Sequence, residues 1–172
     1  SHNEPGLRQF YKWLNEGFRM VASSGTDSHR PMSPEVRIGA NRVYAHDNTQ
    51  YEILAGLRRG HCFVTSGAEI SFTAETEDSK ARMGDLVKPG QLKLKMGWSV
   101  GLSGFDPFEL EAVLIKNNET FGRWSCGDHE DSEFTTISEE ADWFTLELRD
   151  QRGELYALSN PIFVGQQVGT WR

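Results

Sequence analysis

The chain has 172 residues, 37% hydrophobic and 25% charged, which is ordinary for a globular protein of one large or two small domains. Its 18 basic and 25 acidic side chains give a net charge of -7, which argues against nucleic acid as the main partner because phosphate binding needs a basic surface. No apolar run approaches the ~20 residues that span a bilayer, so no membrane partner is expected. Two cysteines are too few for a disulfide framework and do not indicate the cellular compartment.

The first part of the chain combines a helical and an extended pattern. Residues 7–16 carry apolar side chains at helical spacing, and Gly17 is typical of a helix C-terminus. The apolar run FRMVASS, residues 18–24, predicts a short buried strand that ends at the sequence GTDSH. Two prolines between Gly25 and Asn41 predict an irregular stretch after it.

The strongest helix signal follows the short strand pattern RVYAH. In TQYEILAGLRRG, Thr49 and Glu52 form a capping box, and Gly60 is typical of a helix end. The segment CFVTSG then predicts another strand. Residues 1–67 offer too few helices to cover both faces of a parallel sheet, so we interpret them as the C-terminal elements of a larger α/β body.

After Gly67 the pattern changes to period two. Apolar and polar residues alternate in EISFTAET, LKLKMGWSV, LEAVLIKNN, WFTLELRD and LYALSNPIFV. Turn signals separate some of these segments, namely NN at 117–118 and DQRG at 150–153. Short strands joined by tight turns predict an antiparallel β-sandwich domain over residues 68–172. The expected fold class is therefore α+β, with an α/β part over residues 1–67 that precedes the sandwich.

The stretch SSGTDSHRPM places Asp27 and His29 two residues apart, at the end of the predicted strand 18–24. Residues two apart on a strand point to the same side, and α/β active sites lie at the carboxyl ends of parallel strands. A carboxylate and an imidazole suit a divalent metal such as zinc, manganese or iron. The alternative is a turn in which Asp27 caps its own backbone.

Other groups have a structural interpretation beside a functional one. His46 and Asp47 either lie beside Asp27 at the carboxyl ends of the strands, where an α/β active site would be, or begin the helix at Thr49. The segment CGDHED, residues 126–131, is interpreted as a solvated acidic loop, with a calcium site as the alternative. Four tryptophans of the β part are expected in the core, and a platform for sugar stacking is the alternative. These tryptophans are Trp98, Trp124, Trp143 and Trp171.

The chain resembles the C-terminal part of the PHP (polymerase and histidinol phosphatase) superfamily in four segments: WLNEGFRMVASSGTDSH, NRVYAH, LRRGHCFVTSG and LSNPIFV. It is most similar to the branch of the carbaryl-hydrolase (CehA/McbA) type, and the resemblance covers nearly the whole chain. It implies a distorted β/α barrel that binds several metals, with residues 1–67 as its C-terminal remnant. By position, Asp27 and His29 match the final Asp-x-His ligand pair of the family. The earlier ligands of the family have no counterpart here.

The resemblance implies a metal-dependent hydrolase of the phosphoesterase type, in which a metal-bound water attacks a phosphoester or related ester. Asp27 would be a metal ligand and catalytic proton acceptor, and His29 a second ligand. The cofactor would be a divalent metal, namely zinc, manganese or iron. Arg30 and Arg42 are candidates for binding an anionic substrate, since a guanidinium suits phosphate, and a surface role is the alternative.

This chain alone is expected to be inactive, because two ligands leave a metal short of the three or four protein groups that catalytic sites use. If the start of the α/β body is missing, the strand at residues 18–24 has an exposed edge, and self-association through residues 1–67 is expected. The alternative function is a non-catalytic β-sandwich module that binds carbohydrate or a protein partner. An exposed row of aromatic side chains on one sheet would favour that alternative.

Overall fold

The computed structural model describes residues 4–25, 39–99, 106–128 and 130–165. These residues form two α-helices, one short 3-10 helix and twelve strands. In chain order the elements are α1 (Glu4–Asn15), β1 (Ala40–Val43), α2 (Gln50–Arg59), β2 (Cys62–Thr65), β3 (Glu69–Glu75), β4 (Lys80–Arg82), β5 (Leu86–Val87), β6 (Gly90–Ser99), the 3-10 helix (Pro107–Glu109), β7 (Leu110–Lys116), β8 (Glu119–Ser125), β9 (Asp131–Ser138), β10 (Trp143–Asp150), β11 (Leu155–Ser159) and β12 (Ile162–Val164). Within the described ranges, neither α-helix has the length and apolar character needed to cross a membrane.

The strands form two sheets. In sheet A, the strands β1, β2, β11, β10, β12 and β5 follow one another, and β7 and β8 extend the sheet from β10. Sheet B contains four strands in the order β4, β3, β6, β9. Among the described strands, every pairing is antiparallel except that of β12 with β5.

The main core lies between the two sheets. Sheet B contributes alternate residues of β3 and β6, such as Phe72 and Leu94, and sheet A contributes Leu114, Leu146 and Leu148, all of them buried. Alternation places every second side chain on the inner face, as the period-two segments predicted. The expected antiparallel β-sandwich is confirmed.

Helix α1 covers the other face of sheet A. Its buried side chains, of which Leu14 is 1% exposed, pack against residues of β7 and β10 that include Val113 and Trp143. Strand β10 is therefore buried on both faces. The Tyr11 hydroxyl donates to the buried carboxylate of Glu147 on this strand, which anchors the helix by a polar contact as well as by apolar packing.

The expected fold class, α+β with a β/α barrel remnant, is wrong. The chain is mainly antiparallel sheet and has only two α-helices in its described part. Strands β1 and β2, predicted to belong to an α/β body, pair antiparallel with each other, and β2 continues into the sandwich sheet through β11. Residues 18–24, predicted as a buried strand, form no strand. An apolar run indicates burial but not the direction or the partner of a strand, which explains the error.

The predicted boundary between residues 67 and 68 lies between β2 and β3. Hydrogen bonds join the residues on its two sides, because Thr65 of β2 pairs with Ala157 of β11. Helix α1 likewise packs on strands from the second half of the chain. The two predicted parts thus share one sheet.

Helix α2 has the ends that its sequence predicts. Thr49 accepts a hydrogen bond from the Glu52 N–H at 3.3 Å, and Gly60 ends the helix in the left-handed conformation with φ of 75°. The helix approaches β1 closely, since a Cβ at Gly56 would lie 2.6 Å from a methyl group of Val43. Gly56 is its only buried residue, while Ile53 and Leu57 of the apolar stripe are half-buried and Leu54 is 38% exposed.

Candidate functional site

The residues that lead to the Asp-x-His pair lie beside α1. Met20 and Ala22 pack against the apolar cluster between α1 and sheet A. Phe18 and Val21 are 41% and 36% exposed, and burial alternates from Val21 to Gly25 as it does along a strand. The segment therefore has the side-chain pattern of a strand without belonging to either sheet.

Asn160 holds the backbone of this segment at Ala22. Its side-chain oxygen accepts from the Ala22 N–H at 2.6 Å, and its amide nitrogen lies 3.2 Å from the Ala22 carbonyl oxygen. The same nitrogen donates to the Cys62 carbonyl oxygen at 2.8 Å and lies 3.2 Å from the Cys62 sulfur. Asn160 is fully buried, and these bonds satisfy an amide that would otherwise be costly to bury.

Asn41 of β1 repeats the arrangement two residues further on. Its side-chain oxygen accepts from the Ser24 N–H at 2.8 Å, and its amide nitrogen donates to the Ser24 carbonyl oxygen at 2.9 Å. Backbone groups two residues apart on a strand point to the same side. Two asparagine side chains thus occupy the place that a neighbouring strand would take along Ala22 and Ser24.

The other side of the segment is unpaired. Within the described ranges, no hydrogen bond involves the backbone N–H or carbonyl of Val21 or Ser23. Both residues are exposed. Residues 21–24 therefore have one edge held by the side chains of Asn41 and Asn160, which we call the asparagine clamps, and one free edge.

A cavity of about 550 Å³ lies between α1, the segment at residues 20–25 and the strands β2 and β11. Its wall is apolar at Phe10 and Leu158 and polar at Ser24. Gly25 and Gly39, which flank residues 26–38, both line it. A Cβ at Gly39 would collide with the Ser24 hydroxyl, so the two ends of that interval lie together at the cavity.

The predicted metal ligands Asp27 and His29, and the predicted substrate residue Arg30, lie outside the described residues. Arg42 lies on β1, 58% exposed, and forms an ion pair with Glu69 at 2.8 Å. Neighbouring residues on a strand point to opposite faces, so Arg42 points away from the face on which Asn41 holds Ser24. The substrate-binding roles of the two arginines stay predictions.

Asp47 takes the structural role of its two alternatives. Its carboxylate accepts from the Thr49 N–H at 2.9 Å, at the start of α2. Hydrogen bonds from Thr49 lower the pKa of Asp47, which keeps this carboxylate charged next to the positive end of the helix. Within the described residues, no group of three or more His, Cys, Asp or Glu side chains could hold a metal.

Both thiols are buried and free. Burial raises the pKa of Cys62, against a smaller lowering by the hydrogen bond from Asn160. Burial and the charge of Glu111 raise the pKa of Cys126 to about 12. Because the thiolate is the reactive form, neither cysteine suits nucleophilic catalysis near neutral pH.

The tryptophans that the structure describes do not form a sugar platform. Trp98 and Trp143 are 5% and 1% exposed, and Trp124 packs against the core between the sheets. Trp171 lies outside the described residues. In the segment 126–131, Cys126 is buried and the described acids are exposed, as a solvated acidic loop requires.

Sequence reasoning missed Asn41 and Asn160. A signal was present, since asparagine is disfavoured in strands, and both residues lie in or beside strand patterns. No protein-family profile and no curated protein matches this sequence.

Proposed function

We propose that this chain is the C-terminal part of a PHP-type metal-dependent hydrolase, in which Asp27 and His29 bind a divalent metal. The observation that carries the proposal is the pair of asparagine clamps on Ala22 and Ser24. They hold the backbone immediately before the Asp-x-His pair by four hydrogen bonds to the two residues.

The clamps favour a ligand pair over an ordinary turn. A turn at Asp27 would need only its own side chain and nearby backbone. Metal ligands, in contrast, must be held within about half an ångström of their place, and paired hydrogen bonds from side-chain amides supply such rigidity. Gly25, which follows the two residues held by the asparagines, and Gly39 both line the cavity.

The free edge at Val21 and Ser23 supports the view that the complete enzyme has a further part. Since a catalytic metal takes three or four protein groups, that part would supply ligands beside Asp27 and His29. Exposed apolar side chains surround the edge, among them Trp13 at 39% and Phe18 at 41%. Apolar surface of this kind is typical of an interface, either with that part or with a second copy.

When bound, a zinc, manganese or iron ion would lower the pKa of a water molecule and polarise a phosphoester or related ester. The residues of this chain would bind the metal and orient its ligands. Asp27 and His29 would hold the metal, and Asp27 would also accept a proton. Asn41 and Asn160 would fix the backbone that presents both side chains.

The proposal is tested by calorimetric titration of Mn²⁺ and Zn²⁺ into this chain. Asp27→Asn and His29→Gln should each weaken binding by at least about tenfold, the lower end of what loss of a ligand's hydrogen-bond partner costs. Matched controls are Asp47→Asn and His46→Gln, which remove the same groups at the start of α2 and should leave binding unchanged. Equal effects at both pairs would mean nonspecific binding and would refute the proposal.

A second pair of variants tests the clamp itself. Asn41→Ala removes both bonds to Ser24 and should weaken Mn²⁺ binding by about tenfold although no ligand is lost. Arg42→Ala is its control, because the next residue on β1 points to the opposite face. We expect no metal-dependent phosphoester hydrolysis by the chain alone. Turnover that Asp27→Ala abolishes would show that the chain contains a complete site.

Among the described residues, no observation favours the carbohydrate-binding alternative. The outer face of sheet B carries a series of ion pairs: Lys80 and Lys95 each lie 2.9 Å from Glu75, and Lys93 lies 2.5 Å from Glu133. This face presents charges and not the row of aromatic side chains on which sugars stack.

A further inference from the structure

Strand β9 forms a long free edge of sheet B. It pairs with β6 over eight residues without a register shift, from Asp131 opposite Gly97 to Ser138 opposite Gly90. In the described part of the chain, no other strand pairs with β9. A regular edge of this length is a template for pairing with another chain.

The other sheet edges are short or interrupted. Strand β4 has only three residues and carries Lys80 and Arg82, β5 has two residues, and β1 has four. Strand β8 pairs with β7 through an irregularity at Leu114 and Ile115. Lysine, shortness and bulges are the means by which proteins block edge pairing. Strand β9 has no lysine, no proline and no register shift.

The pairing with β6 determines which backbone groups of β9 point away from β6. The Trp98 N–H donates to the Glu130 carbonyl, which marks residues 98 and 130 as a hydrogen-bonded pair. Because such pairs alternate along antiparallel strands, the even-numbered residues of β9 bond to β6. Asp131, Glu133, Thr135 and Ile137 then direct their N–H and carbonyl groups outward. The Ile137 carbonyl also accepts from the Thr136 hydroxyl at 3.2 Å and has a second lone pair for a neighbouring strand.

We propose that β9 pairs antiparallel with β9 of a second copy of this chain, about a two-fold axis at Phe134. Pairing must join the odd-numbered outward residues of one copy to those of the other, so the axis passes through a residue and not between two residues. An axis at Glu133 would place this carboxylate against its own copy, and an axis at Thr135 would leave Asp131 outside the paired strand. The axis at Phe134 joins Asp131 to Ile137 and Glu133 to Thr135.

This register is favourable in charge and in apolar contact. No like charges face each other, and Glu133 is already neutralised within its own chain by Lys93 at 2.5 Å and Lys95 at 3.7 Å. Ile137, 66% exposed, gains a neighbouring strand. All four outward residues bond, which gives about eight hydrogen bonds across the axis. The result is one continuous sheet from the two copies of sheet B.

The proposal is independent of the metal site and is tested by light scattering over a range of concentrations. The mass should rise from 19.5 kDa toward twice that value. Thr135→Pro removes an outward N–H without touching the bonds to β6, and it should weaken the dimer by at least about tenfold. Thr135→Val keeps the N–H and should dimerise normally. A monomer at every concentration, or a dimer that Thr135→Pro leaves intact, would overturn the proposal.

Cysteine pairs test the register. Asp131→Cys with Ile137→Cys should form covalent dimers on oxidation, because these positions face each other across the axis at Phe134. Asp131→Cys with Thr135→Cys should not, because those positions face each other only if the axis lies at Glu133. Crosslinking of the second pair alone would refute the register. A dimer broken by Phe18→Asp but not by Thr135→Pro would instead place the interface on residues 1–67 and refute the β9 interface.

Discussion

Replacing Asn160 with alanine tests the arrangement on which the candidate site depends. The substitution removes the amide that binds the Ala22 N–H at 2.6 Å and the Cys62 carbonyl at 2.8 Å. Each buried group that loses its partner costs ~1–3 kcal/mol, and water can reach only Ala22, which is half-buried. The expected loss of unfolding free energy is therefore about 2–4 kcal/mol.

Urea denaturation followed by tryptophan fluorescence would measure this loss, which corresponds to a fall in Tm of about 4–16 °C for a chain of this size. Hydrogen exchange at the Ala22 amide would locate it, because the N–H loses its acceptor in the variant. Asn48→Ala, at an exposed asparagine, is the control and should change neither quantity. A loss of unfolding free energy below about 1 kcal/mol, together with unchanged exchange protection at Ala22, would refute the role of Asn160 in holding this backbone.

Two further predictions concern stability, beside the metal and edge-pairing predictions above. Gly84→Ala should destabilise the chain by about 2–3 kcal/mol, because φ is +91° and the added Cβ would collide with the Arg59 carbonyl; Gly153→Ala, at φ +81° in open space, should cost only about 1 kcal/mol in the same urea titration. Hydrogen bonds from Lys80 and Lys95 lower the pKa of Glu75 from 4.5 to about 2. Its contribution to stability is thus present above pH 4.5 and lost as the pH falls through about 2, so Glu75→Gln should flatten the acid dependence of unfolding in that window. An unchanged slope would show that the ion pairs with Glu75 add nothing.

Local patterns predicted the elements whose determinants are close in sequence. The ends of α2 follow from Thr49, which caps a residue three positions later, and from Gly60, which supports the left-handed conformation. The period-two segments of the second half predicted strands and an antiparallel sandwich, and the burial pattern of β6 alternates as expected. Sequence also pointed to the Asp27 and His29 pair, whose metal-binding role stays a prediction.

Residues 18–24 show where local reasoning fails. Their apolar run indicated burial correctly at Met20 and Ala22, yet whether a run becomes a strand depends on a neighbour that offers backbone groups. Here the neighbour is replaced by two asparagine side chains. One of them, Asn160, lies 138 residues away in sequence from Ala22.

The amino-acid sequence by itself determined the ends of α2, the period of the strands and the excess of acidic charge, because capping, turns and alternation act over a few residues. Only the tertiary structure decided that β1 and β2 extend the sandwich sheet through β11 and that Asn41 and Asn160 hold the segment before Asp27. It also decided that β9 is left as a long free edge. These features depend on which distant backbone groups meet, and an apolar or polar pattern specifies burial without specifying the partner.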